Sequence, residues 1–416
     1  MARAGAVALT AAAAVLLAGA CGLQAWRTWL GRVNPAAAQR LGVATPEALS
    51  TLAAQQFADT SEAGHDRAAK ADAGAALLAA PLDAPAVRVL ALEAEGDGDT
   101  ERAQTLMRLA DQRSRRDAVT QMWLFADDLP RRNFADGFRH ADAALRLDWR
   151  LGDLLFPAMI SAAAVPAAAT PLALRLETEP DWRRTFLAAL AQRGPDPAAA
   201  ARVFAVLATT DSPPTDAESS ALIGRMVAAG DIAGAHAAWL RLLPTGARAP
   251  GVGVYDGDFA PVPGAAPFNW ILQSDDGAIA QEGPAGDDRP ALYVRSPPEA
   301  THTLASQMLL LPPGRWRLTG RVRVEPGQDG DLFAWRIACA GGSDLGETRV
   351  GATPTGWRTF AGEFDVPAGC PAQWLRLFGL AHEGFEPGEA TWRGLAVQPI
   401  QGAAAARAAR QAANAA

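Results

Sequence analysis

The stretch APAVRVLALEAEGDGDTERAQTLMRLADQRSRRD, residues 84–117, decides how the first half of the chain reads. Val87, Leu90 and Ala91 supply a first helix. Gly96-Asp97-Gly98-Asp99 breaks it, because glycine and aspartate favour turn geometry. Ala103, Met107 and Ala110 follow at i, i+4 and i+7, one face of a second helix. The trio recurs 34 residues earlier as Ala69, Ala73 and Ala76, and 34 residues later as Gly137, Ala141 and Ala144. Small residues on that face let a partner helix come close. Units that cannot bury their apolar faces alone stack on one another, and the stack offers partners a surface. The chain therefore reads as a binding or scaffolding protein whose ligand the period does not name.

Residues 50–151 resemble the tetratricopeptide pattern. Asn133-Phe134-Ala135-Asp136-Gly137 is similar to that family's aromatic-x-x-small helix entry. Pro81 stands where the family favours proline, and Phe57 departs from it where a small residue is usual. The resemblance implies antiparallel helix pairs wound into a solenoid over residues 45–245 that engages other proteins. A further hairpin, Ser220 to Leu243, carries Ala235, Trp239 and Leu242 in a shifted register. Residues 152–215 read as helical but degenerate, interrupted by Pro157, Pro166, Pro171, Pro195 and Pro197. A generic alanine-rich bundle is the plainer alternative, against which the three in-register periods argue.

At 416 residues the chain has room for two or three domains. Its formal charge of −7 disfavours a nucleic-acid partner. Lys70 is the only lysine, a bias that fits a GC-rich bacterial genome. No charge falls between Arg3 and Arg27. Residues 1–30 therefore read as a membrane anchor with Trp26 and Trp29 at the interface. Two alternatives stand beside it. Ala18-Gly19-Ala20-Cys21 resembles a lipobox, which would lipidate Cys21, and ordinary cleavage after Ala20 would free the chain. Cys339 and Cys370 form a pair in the second half, which suits a disulfide in an oxidising compartment. The expected location is the cell membrane, with a periplasmic body.

The pattern changes at Pro244-Thr-Gly-Ala-Arg-Ala-Pro-Gly251, whose residues 246–251 make a linker. Beyond it, alternation replaces the helical period. Trp316, Leu318, Val322 and Val324 share one side of a strand, with Arg315, Arg317, Arg321 and Arg323 on the other. Phe333, Trp335, Ile337 and Cys339 form another inward row, and Phe360, Phe364 and Val366 a third. Residues 372–381 and 390–399 add strands. Short strands punctuated by Pro-Gly turns predict an all-β sandwich over residues 252–400, followed by a loose tail over 401–416.

Gly257-Asp258-Phe259, Pro313-Gly314-Arg315-Trp316, Gly356-Trp357-Arg358-Thr359-Phe360 and Trp392-Arg393-Gly394-Leu395-Ala396-Val397 come in an order that resembles jelly-roll carbohydrate-binding modules. The resemblance implies a jelly roll that binds sugars without cleaving them. Ala260 and Arg393-Gly394 depart from acidic positions that often serve a structural calcium in that family. Asp275-Asp276 and Asp287-Asp288 read as turn formers, so no metal and no cofactor are expected.

No catalytic constellation stands out. His65, His140, His236, His302 and His382 make no metal spacing, and His140 and His236 read as helix-surface residues. Glu282 and Asp331 are not singled out by spacing as a glycosidase pair. Of Trp270, Trp357, Trp374 and Trp392, most read as core. Phe268-Asn269-Trp270 is the better candidate, with Asn269 and Trp270 as ligand contacts. The arginine row, with Arg317 and Arg321 at its centre, reads first as a solvated outer face and second as a platform for an acidic polysaccharide. The whole predicts a non-catalytic envelope protein, accessory to assembly or export of a surface polysaccharide. Its partners would be envelope proteins through the repeats, polysaccharide through the sandwich, and the inner membrane through the N-terminus. The alternative is a protein–protein scaffold capped by the sandwich; a glycoside-active enzyme ranks behind both.

Overall fold

In a computed structural model the described residues are 2–59, 65–244, 253–284, 288–325, 330–351 and 356–400, with side chains from Ala14 onward apart from those of His65 and Asp66. The linker 246–251, Asp287 and the tail from Gln401 lie outside them. The chain divides into two compact units, residues 1–183 and 184–416.

The first unit is helical. Its helices are α1 (Ala2–Val33), α2 (Pro35–Arg40), α3 (Pro46–Ala58), α4 (His65–Ala79), α5 (Ala84–Gly96), α6 (Thr100–Arg113), α7 (Ala118–Asp128), α8 (Phe134–Leu147), α9 (Gly152–Ala163) and α10 (Ala169–Glu177). They begin where the sequence supplies caps. The Asp83 carboxylate accepts the Ala86 N–H, with Pro85 in the first turn, and Asp99 accepts from Arg102. α3 packs on α4, α5 on α6 and α7 on α8. All nine trio residues are buried. A Cβ built on Gly137 would lie 3.4 Å from that of Asp128, an ordinary contact, so α8 meets α7 closely there. Arg88 of α5 forms an ion pair with Asp117 at the head of α7, tying one pair to the next.

His140, expected on a helix surface, is instead 4% exposed. Its Nδ1 lies 2.7 Å from Gln121 Oε1, and Gln121 Nε2 donates to Asp111. Arg139 donates to its Nε2. Burial, helped by the Arg139 charge, lowers its pKa to about 4, so the ring is neutral and bridges α7 and α8. Its neighbour Arg139 is polar, but Gly137 and Ala144, about one turn away on either side, are buried trio residues and place it on the packed face.

The interval between Arg3 and Arg27 belongs to α1. Val15, Leu16, Leu17 and Trp29 are exposed on it. Gly31 brings α1 onto α3, since a Cβ there would stand 2.8 Å from that of Ala48. Among the described residues no single helix is long and apolar enough to cross a membrane.

The second unit opens with α11 (Arg183–Arg193), α12 (Pro197–Leu207), α13 (Asp216–Ala228) and α14 (Ile232–Leu242). α13 starts at a capping box in which Thr215 and Glu218 satisfy each other's backbone N–H. Ten strands follow: β1 (Ile271–Leu272), β2 (Ile279–Pro284), β3 (Pro290–Ser296), β4 (His302–Leu309), β5 (Gly314–Val324), β6 (Asp331–Cys339), β7 (Asp344–Gly351), β8 (Arg358–Val366), β9 (Gln373–Gly379) and β10 (Gly388–Pro399). They form two antiparallel sheets, β1-β4-β9-β6-β7 and β2-β3-β10-β5-β8. The fold class is thus helical in the first half and an all-β sandwich in the second, as the two periodicities predict.

The sandwich core joins the inward rows of both sheets. At its centre Trp392 meets Phe333, Trp335 and Phe360 edge-on, with centroids 5.9, 5.6 and 5.4 Å away. Cys339 at the end of β6 is disulfide-bonded to Cys370 before β9. His236, the other histidine expected on a surface, is half-buried and sits against Trp239 and Phe268.

Candidate functional site

Strand β9 alternates without interruption. Gln373, Leu375, Leu377 and Gly379 are buried, whereas Trp374, Arg376 and Phe378 face outward and are half-buried. The two rings are four residues apart, about 13 Å along an extended strand. On the neighbouring strand Ala338 is opposite Trp374 and Ala334 opposite Phe378. These small side chains leave the rings uncrowded on that side.

Charged groups fill the spaces between the rings. The Arg376 guanidinium lies 5.0 Å from the Trp374 ring centre, and Arg336 lies 4.7 Å from that of Phe378. Arg336 also donates to Glu347 on β7 at 2.5 Å, and Arg349 donates to the same carboxylate. Burial alone would raise the Glu347 pKa. The two arginine hydrogen bonds outweigh it and hold the carboxyl below its ordinary value. The outer face of β9, β6 and β7 is therefore a strip of two aromatic platforms, three guanidiniums and an ionised carboxylate. Such a strip can cover apolar C–H faces with its rings and take hydroxyls with its polar groups.

The residues chosen from the sequence fall elsewhere. Trp270 is 8% exposed, its ring packed on Phe259 at 4.8 Å and Trp335 at 5.9 Å. Its indole N–H donates to the Asp256 carbonyl. Asn269 donates to the Val262 carbonyl and accepts the Trp270 N–H. The pair is spent on holding the entry segment against the core, so neither is on an open surface with the strip. Arg317 forks onto Glu363 at 3.1 and 2.6 Å, and Arg321 lies near Trp357, both on the outer face of the opposite sheet.

Conversely, Trp374, one of four tryptophans of which most read as core, faces outward and was not singled out. The signal was parity. Arg376 shares its side of the strand, and Leu375 and Leu377 occupy the other.

The resemblance motifs also find a structural use. Leu395 N–H donates to the Gly257 carbonyl, and Asp258 accepts from Gly394. A Cβ on Gly257 would lie 1.8 Å from the Leu395 carbonyl oxygen, so only glycine permits this approach. The clasp sits where β10 shifts register between Arg393 and Ala396. Beside it, burial raises the Asp256 pKa to about 6, with the Asp258 charge adding to the effect. Among the described residues no group of three or more His, Cys, Asp or Glu side chains could hold a metal ion.

No family model matches the chain, and no curated protein does. Solved structures similar to it include a family 61 carbohydrate-binding module in complex with β-1,4-galactotriose, at 16% identity and a TM-score of 0.25, covering 34% of this chain and 91% of that one. A family 4 module is similar at 15% identity and a TM-score of 0.26, covering 35% and 94%. The xylan-binding family 22 module of Paenibacillus barcinonensis Xyn10C is similar at 12% identity and a TM-score of 0.24, covering 32% and 87%.

Proposed function

We propose that this is a non-catalytic glycan-binding protein of the bacterial envelope, and that the outer strip of β9, β6 and β7 holds the sugar. The observation that carries this reading is the Trp374–Arg376–Phe378 ladder. Large rings half-exposed on a sheet face, kept apart by guanidiniums, match the alternating apolar faces and hydroxyls of a polysaccharide. In the proposal the helix pairs serve as a tetratricopeptide-like scaffold for envelope proteins. The N-terminal segment tethers the chain to the inner membrane, and the complex assists polysaccharide assembly or export. The disulfide supports an oxidising compartment.

The test is a glycan array probed with the full chain and with Trp374→Ala and Phe378→Ala. Each variant should lose at least about tenfold in affinity for the neutral glycans bound by the parent, since each removes a stacking platform. Thermal unfolding should stay close to that of the parent. Unchanged binding in both variants, or no glycan bound at all, would leave the purely protein–protein scaffold as the better account.

A further inference from the structure

The arginine row of β5 is not uniform. At one end Arg315 and Arg317 both meet Glu363 of β8, at 3.0 and 2.6 Å, and these bonds depress the Glu363 pKa below its ordinary value, that from Arg317 most. Both guanidiniums of that end are engaged by the one carboxylate. The other end is built differently. Arg321 is directly opposite Arg393 of β10, which is 7% exposed. Arg323 stands two residues further along the same face, with Glu325 at 3.4 Å. Trp357, just before β8, is half-buried among them. Its ring centre lies 4.0 Å from the Arg393 guanidinium and 5.6 Å from those of Arg321 and Arg323.

An indole amid three guanidiniums offsets part of their repulsion through its quadrupole and limits their rotation. Ordered forks bind carboxylates with less loss of entropy than free ones. Among the described residues Arg321 makes no ion pair, and it is exposed. We infer that Arg321 and Arg323, ordered by Trp357 above the buried Arg393, form a second binding site on the sheet opposite the proposed sugar strip. This site takes the carboxylates of an acidic polysaccharide. It does not rest on the strip: the two lie on different sheets and can fail separately.

The probe is polygalacturonate, offered to the full chain in affinity electrophoresis beside its fully methyl-esterified form and dextran sulfate. Polygalacturonate should retard the protein, esterification should abolish the effect, and added salt should weaken it steeply. Arg321→Gln with Arg323→Gln should cut the affinity at least about tenfold. Arg315→Gln with Arg317→Gln should change it by less than about threefold, because both guanidiniums are already engaged with Glu363. Two exposed or half-buried glutamines are compatible with folding, and circular dichroism of both double variants checks this. Equal weakening by the two double variants would reduce the patch to diffuse charge. Retardation that survives esterification, or that only dextran sulfate produces, would overturn the assignment to carboxylates. No retardation by polygalacturonate would overturn the site.

Discussion

Asp256 shows how one residue can be both structural and pH-sensitive. Its carbonyl accepts the Trp270 indole N–H and its carboxylate accepts the Ala260 N–H, while the second carboxylate oxygen is buried without a hydrogen-bond partner. Its folded pKa of about 6 exceeds the ordinary 3.8, so the native state holds this proton more tightly than the unfolded chain does. The stability it contributes is complete below 3.8 and is lost as pH rises through about 6. Asp256→Asn should flatten that part of the profile. It should make the protein more stable than the parent near neutrality, by on the order of 1 kcal/mol after solvent screening. Urea midpoints across the window measure it, and a parallel shift at every pH would exclude the mechanism. At this scale the sequence was legible by type and not by place. Trp270 and Trp374 are both tryptophans among apolar neighbours, yet one is in the core and the other faces out. What separates them is the side of the chain on which a charged residue recurs, and the irregular entry segment around Trp270 has no such period to read.

Helices were the most legible elements, because a trio of small residues fixes both a face and a spacing. Ala103 and Ala110 of α6 have no exposed surface. Ala103→Phe or Ala110→Phe should therefore overpack α5 against α6 and cost about 1–3 kcal/mol or more. The exposed Gln112→Ala should stay within about 0.5 kcal/mol. Chemical denaturation of the three variants compares them, and equal tolerance would displace the assigned register. Strands were legible where one face is core and the other is wet. β5, β8 and β9 follow their alternation closely, whereas β6 and β10 each hold a run of four buried residues, Leu332–Trp335 and Ala390–Arg393. β4 could not be read this way, because Leu304–Leu309 are buried on both faces and nothing alternates. β2 and β7 lie at sheet edges, where glycine and polar side chains blur the period.

Across the whole molecule, the two periodicities divide the fold class correctly, and the cysteines add a long-range tie that spacing alone could only suggest. The disulfide spans a sequence separation of 31 residues. Cys339→Ser should cost roughly 2–4 kcal/mol in the sandwich, because the unfolded chain is then no longer closed into a loop and gains entropy. Thiol titration of the denatured parent should find one free cysteine, Cys21, wherever the N-terminal segment is retained. Three free thiols would remove the support for an oxidising compartment. The sheet order carries a consequence for how the protein comes into being. β3 and β5 do not touch each other; both pair with β10, which fills the middle of their sheet. During synthesis or translocation the chain emerges from its N-terminus, so these two strands wait with open hydrogen-bonding edges until residues 388–399 appear. The helices, built from neighbours in sequence, can mature as they emerge. The sandwich cannot, and a chaperone that shields strand edges would matter most in that interval.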